Sequence, residues 1–356
     1  MTNKIASAFS GAGGAVRVLI TRPAQQSEAL LERFEASGVS AVSVPMLQTE
    51  ALGLLPQKNS SVKSSPETNF LAAQSIAILR RLSGEHGCAE DLPSFSKVLF
   101  VSANAVKYTA KALNYFGDAR YCLLNSIPCL GMGKASSEAI REQGWLLDSD
   151  AAGELPEAYT SETLLNSRWA EQLVGQSLLI CRGCGGRGLL VDGLSERGIS
   201  VSILEAYRRI RPHYSSDLKR ALLNWLFDPG VHFERLVLLG SQEAAENFLS
   251  LVVEALGEAE LATDIETDVL ARAVRGGSGR QNFASQHAEA LCPCSFVVPS
   301  ERVAASLLKQ LSQHPKLEMM LFGQLEPESC TLVAENAGDQ AMLHATLSRI
   351  KKGLAL

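Results

Sequence analysis

Short apolar runs rich in leucine and β-branched residues recur along the chain. Each closes on a small, polar or proline-bearing turn and leads into apolar positions at helical spacing. Runs of the first kind read as buried strands and the following periodicity as helices. Strands are expected over 16–21, 39–44, 97–101, 127–130, 176–181, 199–204, 235–239, 295–298 and 331–334. Helices are expected over 27–34, 70–82, 105–113, 217–227, 244–256, 303–311 and 340–351. Two more carry Leu189, Leu190 and Leu194, and a stretch that stops at Gly144. Strands that alternate with helices in this way build parallel α/β sheets.

The clearest stretch is 176–212, one strand–turn–helix–strand unit with a glycine-rich turn over 182–186. Gly198 stands just past the helix, where left-handed backbone favours glycine. A shift of 160 positions lays Ile180 on Ile20, Arg182 on Arg22, Leu190 on Leu30, Gly198 on Gly38 and Ser200 on Ser40 without a gap. A second echo is a strand, a serine and an alanine-rich helix, at Ser102 and again at Ser241. Repeats of this length argue for two similar lobes.

Composition narrows the classes. With 356 residues there is room for two domains, each with its own core. Thirty-three basic and 38 acidic side chains leave a net charge of −5, which argues against nucleic acid but leaves room for a local basic cleft. No apolar run is long enough to span a bilayer, so no membrane contact is expected. Residues 1–14 lack the apolar core of a signal peptide and read as a disordered tail. Eight scattered cysteines suit a reducing cytoplasm better than a disulfide scaffold. Polar residues 57–69 read as a surface insertion, and 257–292, with its RGGSGR run, as an insertion loop.

Strands ending in Thr, Ser, Gly or Arg with a helix starting at once suggest chemistry. In open parallel sheets, ligands gather beyond the carboxyl ends of the strands. Helix N-termini there offer unpaired N–H groups and partial positive charge, a seat for carboxylates. Two such lobes, one facing the other, would form a cleft lined with anion-binding turns.

Rival signals are weaker. Gly183, Gly185 and Gly188 complete a G-x-G-x-x-G after a strand, and Glu205 lies where a ribose-binding acid would sit, so an NAD-binding oxidoreductase is the alternative enzyme. Against it, the twin turn lacks these glycines and Arg187 would stand beside the diphosphate. Cys181 and Cys184 form C-x-x-C, and Cys292 and Cys294 form C-x-C; a four-thiolate zinc site would have to join distant segments, and buried or incidental thiols are expected. A P-loop at Gly133-Lys134 fails on Pro128 and Ala135. A non-catalytic two-lobed binder of a small polyacid also fits the turns.

Taken together the motifs resemble the uroporphyrinogen-III synthase family. They are Thr21-Arg22-Pro23 after the first strand, VLFVSANAV over 98–106, Gly131-x-Gly133, the turn from Arg182 to Arg187, Tyr207-Arg208-Arg209, and VVPSERVA over 297–304. The resemblance spans about 16–350, with breaks at the two insertions. Cys184, Gly240 and the 257–292 insertion depart from the family pattern.

The resemblance implies two α/β lobes, each a parallel sheet flanked by helices, joined by a two-stranded linker with a cleft between. Lobe one would be 15–47 plus 210–356 and lobe two 49–206. It also implies a cofactor- and metal-independent lyase of heme biosynthesis that closes hydroxymethylbilane, a linear tetrapyrrole polycarboxylate, with inversion of its D ring. Tyr207 matches the family's tyrosine at the interlobe cleft, and a protonated phenol can donate to the departing hydroxyl. Substrate carboxylates would be met by Thr21, Arg22, Pro23, Ser102, Ala103, Asn104, Gly131, Gly133, Arg182, Gly183, Gly185, Arg187, Ser241, Gln242, Ser300 and Arg302. The implied enzyme is a cytoplasmic monomer that takes its substrate by transient hand-over from hydroxymethylbilane synthase.

Overall fold

The computed structural model describes residues 17–52, 66–84, 94–116, 122–149, 160–186, 188–227, 234–261, 294–323 and 325–354. It divides into two compact units. One holds residues up to Gln48 and from Ile210 onward, the other Thr49–Arg209.

Unit one is built on a five-stranded parallel sheet. Its strands are β1 (Val18–Ile20), β2 (Ala41–Ser43), β8 (Arg235–Leu238), β9 (Cys294–Val298) and β10 (Thr331–Val333), in the order β10-β9-β8-β1-β2. β1, β8 and β9 are buried along their whole length, as apolar strands covered on both faces must be. On one face lie α1 (Ala24–Ala36) and α12 (Asp339–Leu354), packed on Val18, Ile20 and Leu238. On the other lie α8 (Ser216–Phe227), α9 (Gln242–Leu261), α10 (Glu301–Leu311) and α11 (Pro315–Phe322), packed on Leu19, Val237 and Phe296.

Unit two repeats the plan. β3 (Gln48–Ala51), β4 (Lys97–Phe100), β5 (Cys129–Gly131), β6 (Ser177–Gly183) and β7 (Ser200–Ile210) are ordered β3-β7-β6-β4-β5. β4 to β7 are parallel. β3 runs antiparallel, since Leu52 N–H donates to Ala206 O and Glu50 pairs with Arg208. α2 (Pro66–Leu82), α3 (Ala103–Phe116) and α4 (Lys134–Glu142) cover one face. The short α5 (Ser161–Leu165) and α6 (Arg168–Glu171), with α7 (Leu189–Glu196), cover the other.

The strand orders β9-β8-β1-β2 and β5-β4-β6-β7 are equivalent. The twin unit recognised in the sequence is therefore β1-α1-β2 and β6-α7-β7, and the second echo is β8-α9-β9 and β4-α3-β5. In unit two the β4–β5 pair precedes the β6–β7 pair along the chain. In unit one the order is reversed, so the two are circular permutations of one sheet. Both twin helices end alike. Gly38 and Gly198 have φ of +70° and +79°. Their N–H groups reach Glu35 O and Ser195 O, while Val39 and Ile199 reach back to Phe34 O and Leu194 O. Gly144 closes α4 in the same way, at φ +71°.

Three departures from the expected elements have physical causes. β3 carries no apolar alternation and forms as an edge strand on β7. α11 has no counterpart among the expected helices; Leu317, Leu321 and Phe322 bury it against the unit-one core. α9 runs to Leu261, with Leu256 and Ala259 packed on that core, so 257–261 belong to a helix and not to an insertion loop. The rest of that segment, the tail 1–14 and 57–65 of the polar stretch lie outside the described residues, as does Cys292. Among the described residues no helix is long and apolar enough to cross a membrane.

Candidate active site

In each sheet one connection crosses one face and its neighbour crosses the other. α7 follows β6 on one face and α3 follows β4 on the opposite one, so β4 and β6 flank a topological switch point. Crevices at the carboxyl ends of such strands are where ligands settle. Ser102 stands at this place, just past β4. Its Oγ accepts from Ala105 N–H at 3.1 Å and caps α3, and it lies 3.1 Å from Tyr207 Oη. The Ala105 bond uses one lone pair, which leaves a lone pair and the hydroxyl proton for the phenol. Ala103 and Asn104 open α3, in the turn whose N–H groups lack intrahelical acceptors.

Tyr207 reaches Ser102 because of an irregularity in β7. Arg182 is opposite Glu205 but Gly183 is opposite Tyr207, which leaves Ala206 as an extra residue. Strict alternation from Leu204 and Ala206 would send Tyr207 to the other face. The bulge places it beside them, on the α3 side. The ring is 4% exposed and stacks on Tyr108 with centroids 5.4 Å apart.

The glycine-rich turn has a different use from the dinucleotide reading. Gly183 makes room for the Tyr207 ring, and Gly185 takes a φ of +74° in the turn. Arg182 pairs with Glu205 at 3.3 Å and also donates to Gly186 O at 3.3 Å. Cys184 donates its thiol to the same carboxylate at 3.1 Å. Its desolvation and the neighbouring carboxylate raise its pKa, which keeps the thiol protonated as a donor. Glu205 is thus turned toward Arg182 and Cys184. Cys181 is wholly buried in the α3-side core, where burial raises its pKa well above the ordinary value, and Cys184 is exposed; the C-x-x-C does not converge.

One strand over, Gly131 and Gly133 close β5. A Cβ on Gly131 would meet Ser137 N at 2.7 Å, so glycine lets α4 start directly over the strand end. Gly133 caps α4 at φ +111°.

In unit one the equivalent place lies between β8 and β1. Thr21 is fully buried and donates to Leu238 O at 2.7 Å, which ties the two strand ends together. Arg22 donates to Asp339 Oδ1 and to Ala337 O, at the start of α12. The twin arginines Arg22 and Arg182 are therefore both engaged by a carboxylate. Pro23 precedes α1, and a Cβ on Gly240 would make only ordinary contact with the Arg22 side chain, at 3.4 Å. Ser241 caps α9 by accepting from Ala244 N–H at 3.2 Å, and Gln242 donates to Glu246 at 3.1 Å. Ser300 precedes α10 without a side-chain cap, and Arg302 is exposed in the first turn. Arg187 lies outside the described residues.

The fold thus gathers Ser102, Ala103, Asn104, Arg182, Gly183 and Tyr207 at one switch point, and Thr21, Arg22 and Ser241 at its counterpart. Sequence reasoning missed Tyr108, Thr49 and Asp339. No short motif marks them; each acts through a partner distant in sequence.

A family model described as uroporphyrinogen-III synthase HemD matches residues 28–265, about two thirds of the chain. The chain is 29% identical over 197 residues to the uroporphyrinogen-III synthase of Salmonella typhimurium, covering 55% of this chain but only 66% of that protein, just under two thirds of its length. It is 24% identical over 200 residues to the Proteus mirabilis protein of the same name, covering 56% of this chain and 83% of that one. Crystal structures of uroporphyrinogen III synthase from Thermus thermophilus (a mutant; 15% identity, TM-score 0.42, 95% and 100% of the two chains) and from Helicobacter pylori (12%, 0.46, 94% and 99%) are also similar.

Proposed function

The chain belongs to the uroporphyrinogen-III synthase family, and from that premise we propose that it cyclises hydroxymethylbilane to uroporphyrinogen III, with inversion of the D ring and loss of water. No cofactor or metal takes part in this scheme. Tyr207 is the proton donor. A phenol is protonated at neutral pH, so it can hydrogen-bond to the terminal hydroxyl and help it depart as water. The methylene left behind is electrophilic. The D ring attacks it through its already substituted carbon, and the resulting spiro intermediate rearranges to the inverted macrocycle.

The observation that carries this reading is the Ser102–Tyr207 hydroxyl pair at the switch point of unit two, 3.1 Å apart. Ser102 is held by the first turn of α3, so the phenol it meets is held too. Substrate carboxylates are assigned to the N–H groups of Ala103 and Asn104, the Gly131–Gly133 and Gly183–Gly185 turns, and Arg187. In unit one they are assigned to Ser241, Gln242, Ser300 and Arg302. Thr21, buried with both of its donors on Leu238 O, and Pro23, which has no N–H, shape the strand end and do not bind, against the expectation for them. Arg22 and Arg182 take part by exchanging Asp339 or Glu205 for a substrate carboxylate. Hydrogen bonds to charged groups contribute about 1.5–3 kcal/mol each, so several hold the substrate and no one of them is essential. The enzyme works as a cytoplasmic monomer and receives its substrate from hydroxymethylbilane synthase.

Freshly made hydroxymethylbilane incubated with the protein, with the I and III isomers of the product resolved, tests the assignment. Predominant III isomer is expected. Only the I isomer, formed by unassisted closure, would leave a binder of polyacids in its place.

A further inference from the structure

We propose that Tyr108 is a positioning residue for this reaction: its ring holds the Tyr207 phenol in place, while its hydroxyl fastens β3 to α3. The inference rests on the reading of Tyr207 as the proton donor. Tyr108 lies on α3, and its ring stacks on that of Tyr207 with centroids 5.4 Å apart and planes 21° apart. Its hydroxyl donates to Thr49 O at 2.6 Å and lies 3.0 Å from Thr49 Oγ1. The ring under Tyr207 is therefore anchored at its far end to the main chain at the head of β3.

Unit one shows which of these two contacts belongs to the fold and which is added. A shift of 139 positions lays Ser102 on Ser241, Ala105 on Ala244 and Tyr108 on Asn247. Both serines cap their helices on the third residue that follows. At the sixth residue, Asn247 donates to Met46 O at 2.9 Å, much as Tyr108 donates to Thr49 O at 2.6 Å. The shared duty of this position is to hold a main-chain carbonyl of the segment that passes between the units, and an asparagine performs it. Nothing in that duty calls for an aromatic ring. The ring in unit two meets Tyr207, whose hydroxyl Ser102 holds from the same helix. Stacked aromatic pairs restrict one another's orientation, so α3 grips the phenol at its face and at its hydroxyl.

The test compares steady-state cyclisation of hydroxymethylbilane by wild type, Tyr108→Phe, Tyr108→Leu, Tyr207→Phe and the double variant Tyr108→Leu/Tyr207→Phe. Tyr108→Leu should lower kcat on the order of tenfold with KM within about twofold, while Tyr108→Phe, which keeps the ring, stays within about threefold of wild type. The double variant should be no more than about twofold slower than Tyr207→Phe, because the ring then has no phenol to position. A purely structural role would lower activity by the same factor in both backgrounds. That result, or a wild-type kcat in Tyr108→Leu, overturns the inference while Tyr207 keeps its role. A wild-type kcat in Tyr207→Phe instead overturns the reading beneath it. If Tyr108→Leu does not fold, Tyr108→Met, with its longer side chain, is judged by the same criteria.

Discussion

A Cβ placed on Gly183 would lie 2.7 Å from Cζ of Tyr207, closer than packed carbons approach. The two face each other across β6 and β7 at the point where the bulge resets the register. The first glycine of the turn is thus a space left for an aromatic ring. Gly183→Ala should push the ring off Ser102 and lower turnover on the order of tenfold, since small misplacements of a reacting group are costly. Overpacking of this kind costs about 1–3 kcal/mol, so urea denaturation should show a modest loss beside the kinetic one.

Ser102→Ala removes a helix cap and the partner of the phenol together. Loss of the cap costs about 0.5–2 kcal/mol. Ser241→Ala loses a like cap, with Ala244 N–H its donor at 3.2 Å, but leaves Tyr207 untouched. Denaturant midpoints should fall alike in the two variants, and kcat should fall much further in Ser102→Ala.

Asp148 is 3% exposed and accepts from Lys97 Nζ and Trp169 Nε1, each at 2.7 Å. Asp148→Ala leaves a largely buried ammonium without this carboxylate, a change that costs about 3 kcal/mol or more. Lys97 begins β4 and Ser102 follows its end, so the damage lies away from the reacting groups. Thermal melting should show a large loss, while the KM of the protein that remains folded stays near wild type. A raised KM with unchanged stability would contradict this division.

Burial pushes the Tyr214 phenol from its ordinary 10 up to about 12, against the opposing pull of Arg211, and its hydroxyl donates to Pro45 O at 2.8 Å. The unfolded chain therefore loses this proton first as pH rises. The stability tied to Tyr214 is complete below pH 10 and declines until the folded group ionises near 12. Tyr214→Phe should be about 1 kcal/mol less stable at pH 8 for want of the hydrogen bond. The gap to wild type, followed by urea denaturation, should narrow as pH rises from 10 to 12.

Several features are legible in the sequence itself. Gly38, Gly144 and Gly198 mark helix ends because a positive φ is a local demand that glycine meets most cheaply, and all three close their helices with the same pair of backbone bonds. The apolar runs at 18–20 and 236–238 read as strands because they are covered on both faces. The repeat at an offset of 160 positions implies matching units. The strand β3 escaped notice for the opposite reason: its residues have no pattern of their own, and β7 imposes the pairing.

Residue by residue, the sequence alone determined most of the elements, their α/β alternation, the helix stops and the serines and glycines at strand ends. These depend on backbone preference and side-chain period within a few neighbours. Only the tertiary structure decided that β1 lies against β8, that Arg22 is held by Asp339, and that Tyr207 leaves its alternating face to meet Ser102 over Tyr108. Each of these joins groups far apart in the chain. Their geometry depends on how whole sheets pair and where one extra residue is absorbed, and no local window of sequence contains that information.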